Sequence, residues 1–176
     1  MMQCLSFRPA LLSESSRIVS LANAAYRGET SRQGWTTEAD LLDGLRTTTL
    51  EIQRLIESAH SIILLGIKGD EIIASVCLEK DTEAAHIGMF VVNPVMQGSG
   101  IGKQLLAYAE SYAQQHWGIS KFLMHVISVR HELIGFYVRR GYRRTGKMRP
   151  FPLNPAMWQP KMDGLQLEQL EKSVPV

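Results

Sequence analysis

Residues 90–113 read FVVNPVMQGSGIGKQLLAYAESYA, and the rest of the chain is ordered around this stretch. An apolar strand, Phe90–Val92, runs into a turn at Pro94. A glycine-rich loop follows, with Gly98, Gly100 and Gly102 at alternate positions, and then a helix with an apolar face at Ile101, Leu105, Ala109 and Tyr112. Glycine tolerates positive φ and lets a ligand approach the backbone closely. The first N–H groups of a helix have no internal partner and carry the positive end of its dipole. Strand, glycine loop and helix start together predict an anion site, most often one for phosphate.

Upstream of this stretch the pattern predicts a short strand over residues 4–8, closed by Pro9. A helix from Leu12 to Tyr26–Gly28 follows, with Ile18, Leu21, Ala22 and Ala25 at helical spacing. A short second helix is expected after a cap at Thr36 or Thr37, with Leu41, Leu42 and Leu45 inward, and a third over Ile52–Ala59. The period then changes to two. Residues 61–67, 71–80 and 85–92 read as an antiparallel meander. In its second strand Ile72, Ala74, Val76 and Leu78 are expected on one face. Downstream, residues 121–127 read as a strand, parallel to 85–92 because a helical crossover joins them. A helix over 131–140 and a strand from Tyr142 complete this run. The four prolines of 147–164 predict an irregular loop, and 165–174 reads as a last strand, with helix as the alternative.

Two phosphate loops are excluded residue by residue. A nucleoside-triphosphate loop needs glycine where Gln97 stands and Ser or Thr where Gln104 stands. A dinucleotide fingerprint needs its third glycine where Lys103 stands. What remains is Gln97-Gly98-Ser99-Gly100-Ile101-Gly102 after Val92-Asn93-Pro94, followed downstream by Gly135-Phe136-Tyr137-Val138-Arg139-Arg140-Gly141-Tyr142. These two motifs, in this order, resemble the acetyl-CoA signature and the F-Y-x-x-x-G-[FY] segment of the GNAT N-acetyltransferase superfamily. The resemblance covers residues 4–173. The segment YRGETSRQGWTTEADLLDG, from Tyr26, is similar to a subset of that family without an assigned substrate.

The resemblance implies an α+β fold: a central mixed, mostly antiparallel sheet of six to seven strands flanked by helices, splayed between strands 85–92 and 121–127. A bulge near Phe90, Val91 and Val92 would free backbone groups to hold pantetheine and polarise a thioester. The N–H groups of Gln97, Gly98, Ser99, Gly100, Ile101 and Gly102 would hold the CoA pyrophosphate, with charge from Lys103. Tyr137 would protonate the leaving thiolate; the alternative is a packing tyrosine. His86 stands six positions before Val92, where several relatives carry a general base, and Glu79 and Glu83 compete for that task. The family often has Asn seven residues before the Tyr. Here Arg130 stands there and would reach a phosphate instead. Arg139, Arg140, Arg143 and Arg144 read as a solvated face, with phosphate steering as the alternative. Residues 26–40 would form a wall of the acceptor site, with Tyr26, Trp35 and Glu38 as contacts. Trp35 reads equally well as a core anchor.

The totals fit this expectation. The 176 residues predict one domain over 1–176, and 45% hydrophobic with 20% charged residues suits a globular chain. A net charge of +2 does not argue for nucleic acid, and no apolar run approaches the ~20 residues that cross a bilayer. Cys4 and Cys77 read as buried free thiols, and no signal peptide is visible, so a cytoplasmic location is expected. The histidines lack metal-ligand spacing, so no metal is expected. The expected reaction is acetyl transfer from acetyl-CoA, as co-substrate, to a small-molecule or peptide amine attacking directly in a ternary complex. The alternatives are another acyl-CoA or a non-amine acceptor, and a catalytically silent CoA-binding regulatory module. Oligomeric state is open, a homodimer being one option.

Overall fold

The structure is a computed structural model and describes residues 3–176. In chain order it contains β1 (Leu5–Pro9), α1 (Ser15–Tyr26), β2 (Leu42–Gly44), α2 (Thr49–Glu57), β3 (Ser61–Lys68), β4 (Glu71–Lys80), β5 (Ala85–Val92), α3 (Ile101–Trp117), β6 (Lys121–Ile127), α4 (His131–Val138), β7 (Arg143–Pro150), β8 (Trp158–Pro160) and β9 (Gln166–Ser173). Seven strands form one sheet in the order β1-β3-β4-β5-β6-β9-β7. Every pairing is antiparallel except β5–β6, which is parallel across the α3 crossover. This is the mixed, mostly antiparallel α+β sheet that the sequence predicts.

Helices cover both faces. Leu105, Leu106, Ala109 and Ala113 of α3 pack on Leu64, Val76, Leu78 and Phe122 of the sheet. On the other face Ile18 of α1 and Ile52 of α2 meet Ile63, Leu65 and Cys77. Because β3 to β6 are covered on both sides, their sequences are apolar runs rather than clean alternations. Glu110 of α3 is buried but satisfied. The Tyr142 hydroxyl donates to it at 2.7 Å and Lys172 Nζ at 2.8 Å, which ties α3 to the far strands. The α2 helix begins at a side-chain cap: Thr48 accepts the Glu51 N–H, and Thr47 Oγ1 donates to the Glu51 carboxylate at 2.7 Å. Thr48→Ala is expected to cost about 1 kcal/mol, read as a lowered urea midpoint at unchanged m-value.

Two bulges modify the strand expectations. Between β3 and β4 the register slips, with Gly66 opposite Ala74 and Ile67 opposite Ile72. The slip moves Ile73 onto the α3 face beside Ala74, Val76 and Leu78, while Ile72 turns to the other side. Between β4 and β5, Ser75 faces Val91 but Cys77 faces Gly88, so Met89 and Phe90 oppose Val76 alone. Met89 takes φ +43°, the one positive-φ non-glycine among the described residues. From here the odd-numbered residues of β5 change face: Ile87 packs toward α3, Met89 and Val91 toward α1.

The expected helix after Thr36 does not form. Glu38 turns inward to two arginines, and Leu42 is buried with Ile127, Leu165 and Leu167. Gly44, the last residue of β2, takes φ +100°. These tertiary contacts override the helical spacing, and Leu42–Gly44 pairs as β2 with β8. That pairing also gives the proline-rich segment more order than expected, since β7 runs on to Pro150 and β8 spans Trp158–Pro160. Cys77 is buried as predicted, whereas Cys4 is exposed, because it precedes β1 outside the sheet.

Candidate active site

β5 and β6 pair only at Ala85–Phe122 and His86–Leu123. Beyond His86 they part, and the backbone edge of β5 that faces β6 has no strand partner. Two cavities flank this split. The first has a volume of about 370 Å³ and the second about 560 Å³. Tyr26, Phe90, Arg130 and Leu133 line both and form the wall between them. The Tyr26 hydroxyl donates to the Phe90 carbonyl at 3.3 Å, which holds the end of α1 against the bulged strand.

The first cavity is the glycine-loop side. Gln97, Gly98, Gly100, Gly102 and Lys103 line it, together with Val91, Val92 and Trp35. Ser99 and Ile101 do not: the Ser99 hydroxyl donates to the Met96 carbonyl at 2.6 Å, and Ile101 packs in the core. Gly100 is the N-cap of α3 at φ +85°, a left-handed conformation costly for other residues. The charged groups in the lining are Lys103, Arg130, Arg139 and Arg140, with no acid among them. Three buried polar atoms of this lining, Gln97 Oε1, Arg130 Nε and Arg140 Nε, find no hydrogen-bond partner among the described residues. Glycines at a helix start, three cations (Lys103, Arg139 and Arg140) without a counter-ion among the described residues and orphaned polar atoms fit a phosphate-bearing ligand. Arg139 and Arg140 thus belong to this cavity rather than to a plain solvated face, because α4 ends beside the glycine loop. Arg140 lies 3.6 Å over the Phe136 ring and donates to the Phe136 carbonyl. Arg143 and Arg144 do lie on the outer face, paired with Glu171 and Glu168.

The second cavity lies on the other side of the wall. Tyr137, His86 and Glu79 line it, and His86 and Glu79 are direct cross-strand partners. Glu83 is exposed in the turn before β5 and does not line it, so the structure separates it from the other base candidates. The His86 ring Nε2 lies 2.7 Å from Asp81 Oδ2. Hydrogen bonds from His86 and from the Glu83 and Ala84 N–H groups hold the Asp81 carboxyl down at about 2. His125, from β6, also faces the cavity. Burial first, then Arg149 and His86, push its pKa down, so it is neutral at pH 7.

Tyr137 is 5% exposed and makes no hydrogen bond to any described residue. Burial, reinforced by Tyr26 and opposed by Arg130, pushes its phenol well above the ordinary value, so it stays protonated. Its ring is fixed edge-on against Phe90, Phe136 and Tyr142.

The wall contains a buried charge cluster. Glu38 receives Arg27 Nε at 3.1 Å on one oxygen and Arg130 at 3.1 Å on the other. Arg130 also donates to Thr36 Oγ1 at 2.6 Å, and Thr36 donates to Glu132 at 3.0 Å. Most of the Arg130 fork is therefore committed within the protein, and its buried Nε has no hydrogen-bond partner among the described residues. Among the expected acceptor contacts, Tyr26 and Glu38 line the second cavity. Trp35 does not: it lines the first, 45% exposed and 6.0 Å from Phe136, because Gly34 brings its loop against Gln97. A Cβ on Gly34 would meet Gln97 Oε1 at 2.1 Å, so a larger residue there has to displace the Gln97 amide. Asp81, Arg46 and Arg149 are site residues that the sequence did not single out. Asp81 carried a weak signal, five positions before His86 across a turn. The two arginines carried none.

A family model described as the acetyltransferase (GNAT) family matches residues 20–146. The chain belongs to this family and is an acyltransferase by class. No curated protein matches it. Among solved structures, the ribosomal-protein-S18-alanine N-acetyltransferase of Escherichia coli is similar at TM-score 0.72 and 9% identity, over 98% of this chain and 96% of that one. A GNAT-family acetyltransferase of Streptococcus pneumoniae gives 0.69 and 16%, over 98% and 100%. The PaiA N-acetyltransferase of Thermoplasma acidophilum, solved with coenzyme A, gives 0.67 and 17%, over 97% and 99%. At these identities the likeness speaks for the fold alone.

Proposed function

We propose that this protein moves an acetyl group from acetyl-CoA to a primary amine, by direct attack within a ternary complex. The observation that carries this reading is the pair of cavities meeting at the β5–β6 split. One is cationic and lined by the glycine loop; the other holds Tyr137, His86 and Glu79. In this reading the N–H groups from Gln97 to Gly102 hold the pyrophosphate, and Lys103, Arg139 and Arg140 add charge. Pantetheine runs along the free edge of β5. Backbone groups released by the Met89–Phe90 bulge polarise the thioester carbonyl. The amine occupies the second cavity and attacks that carbonyl. A base takes the amine proton and the Tyr137 phenol protonates the departing thiolate, so the two transfers leave the charge balanced.

His86 serves as the base. Its Nε2 is engaged with Asp81, which leaves Nδ1 to accept the proton and fixes the ring's orientation. Glu79 lies beside it and is the rival. His86→Ala is expected to lower kcat/KM about 100-fold and to remove the limb on which the rate rises with pH. A limb that persists unshifted in the variant assigns the proton to another group. The reading also takes the chain as a single acetyltransferase domain, free of metal and working in the cytoplasm. Support for the location comes from the free thiols Cys4 and Cys77, which suit a reducing compartment.

A further inference from the structure

The second cavity is positively charged. Arginines from four places in the fold converge on it: Arg27 at the end of α1, Arg46 before α2, Arg130 at the start of α4 and Arg149 in β7. Only Glu38 and Glu79 oppose them in the lining, so cations outnumber anions by two. Glu38 is shared between Arg27 and Arg130, all three nearly sealed from solvent, and the half-exposed Glu132 completes this cluster's charge at 3.8 Å from Arg130 Nε. The excess in the cavity therefore lies with the other two arginines. Arg46 and Arg149 have no acidic partner among the described residues, and Arg46 lies 5.2 Å over the Tyr26 ring. The other walls are apolar, with Met89, Met124, Val126, Phe151, Trp158 and Leu167.

We infer that the acceptor is an amine carrying its own carboxylate and an apolar body, that is, a free amino acid with a large apolar side chain. Its ammonium faces Glu79 and His86, its carboxylate meets the unpaired Arg46 and Arg149, and its side chain fills the Met89–Trp158 walls. A polyamine would bring further positive charge into a cavity that already holds an excess of it. The inference rests on the acyltransferase reading, which makes this cavity the acceptor site. The ammonium first gives one proton to solvent. Acyl transfer to the free amine then breaks the thioester C–S bond and forms an amide, with a second nitrogen proton going to the base and the phenolic proton going to sulfur.

The test separates the inference from the reading beneath it. Calorimetry on the CoA-loaded protein compares N-acetyl-L-methionine with its uncharged amide. The carboxylate is expected to bind at least about tenfold more tightly, the size of one charge-assisted hydrogen bond. The advantage is expected to shrink in Arg149→Gln, an exposed position where folding is safe, and further in R46Q/R149Q. Equal binding of carboxylate and amide, or an advantage untouched by the double variant, overturns the proposal. A turnover arm offers L-methionine, L-methioninamide and spermidine with acetyl-CoA. Preference for free methionine supports the proposal, and preference for spermidine or the amide overturns it while leaving acetyl transfer intact. Carboxylate binding with no thiol release from any acceptor supports the anion site and removes the transferase reading instead.

Discussion

Tyr137→Phe lowers kcat by about 100-fold or more while acetyl-CoA binds within a factor of two of wild type. The substitution removes one oxygen and one proton from a ring that phenylalanine can replace, packed edge-on against Phe90, Phe136 and Tyr142. No described residue is hydrogen-bonded to the hydroxyl, so nothing inside the protein is left unsatisfied. The fold should therefore lose well under about 1 kcal/mol. Burial keeps the phenol protonated at any working pH but also makes it a weaker acid, so its proton moves only as negative charge develops on the departing sulfur beside it. A packing tyrosine predicts the opposite pattern, with a lowered Tm and an unchanged rate. Unchanged turnover with a competent acceptor removes Tyr137 from the chemistry.

Gly100→Val is expected to weaken acetyl-CoA binding about 100-fold, some 2.7 kcal/mol. Gly100 stands at φ +85° as the N-cap of α3 and lines the first cavity. A β-branched residue is strained in that conformation, and its side chain projects where the phosphates approach the helix N–H groups. Nothing in the protein crowds a Cβ there except Gln104 Nε2 at 4.0 Å, so the loss beyond backbone strain reports on the ligand. Gly118→Ala is the control. Gly118 closes the other end of the same helix at φ +66° in open space, away from both cavities. It carries a comparable strain of about 1 kcal/mol and should leave acetyl-CoA affinity unchanged. Equal losses in the two variants reduce the glycine loop to a turn.

Much of the fold was legible because its signals are local. The strands 71–80, 85–92 and 121–127 fall where period and turn residues put them. The glycine loop was legible because Gly98 and Gly100 take positive φ, which side chains rarely adopt, just before a helix. The 36–45 segment was misread as a helix because its deciding contacts, Arg27 and Arg130 to Glu38 and Leu42 into the Leu165–Leu167 cluster, come from distant parts of the chain. The faces at Ile72 and Ile73 were exchanged for a similar reason, since a bulge leaves no mark on a strand whose two faces are both apolar. Arg46 and Arg149 lie more than a hundred residues apart, and only the β7–β9 pairing brings the second to the cavity of the first. The arrangement that sets the donor was therefore readable from neighbours in sequence. The arrangement that sets the acceptor was not.

The central claim is that the two cavities join a CoA thioester to an amine, and one assay addresses it directly. Thiol release from acetyl-CoA is followed over a panel of amines, amino acids included, with the product identified by mass. The account predicts release that requires both acetyl-CoA and an amine, yields the N-acetyl compound, and falls to near background in Tyr137→Phe. Acetyl-CoA that binds to the protein but is released no faster with any acceptor than without one contradicts the account, and makes the chain a CoA-binding module.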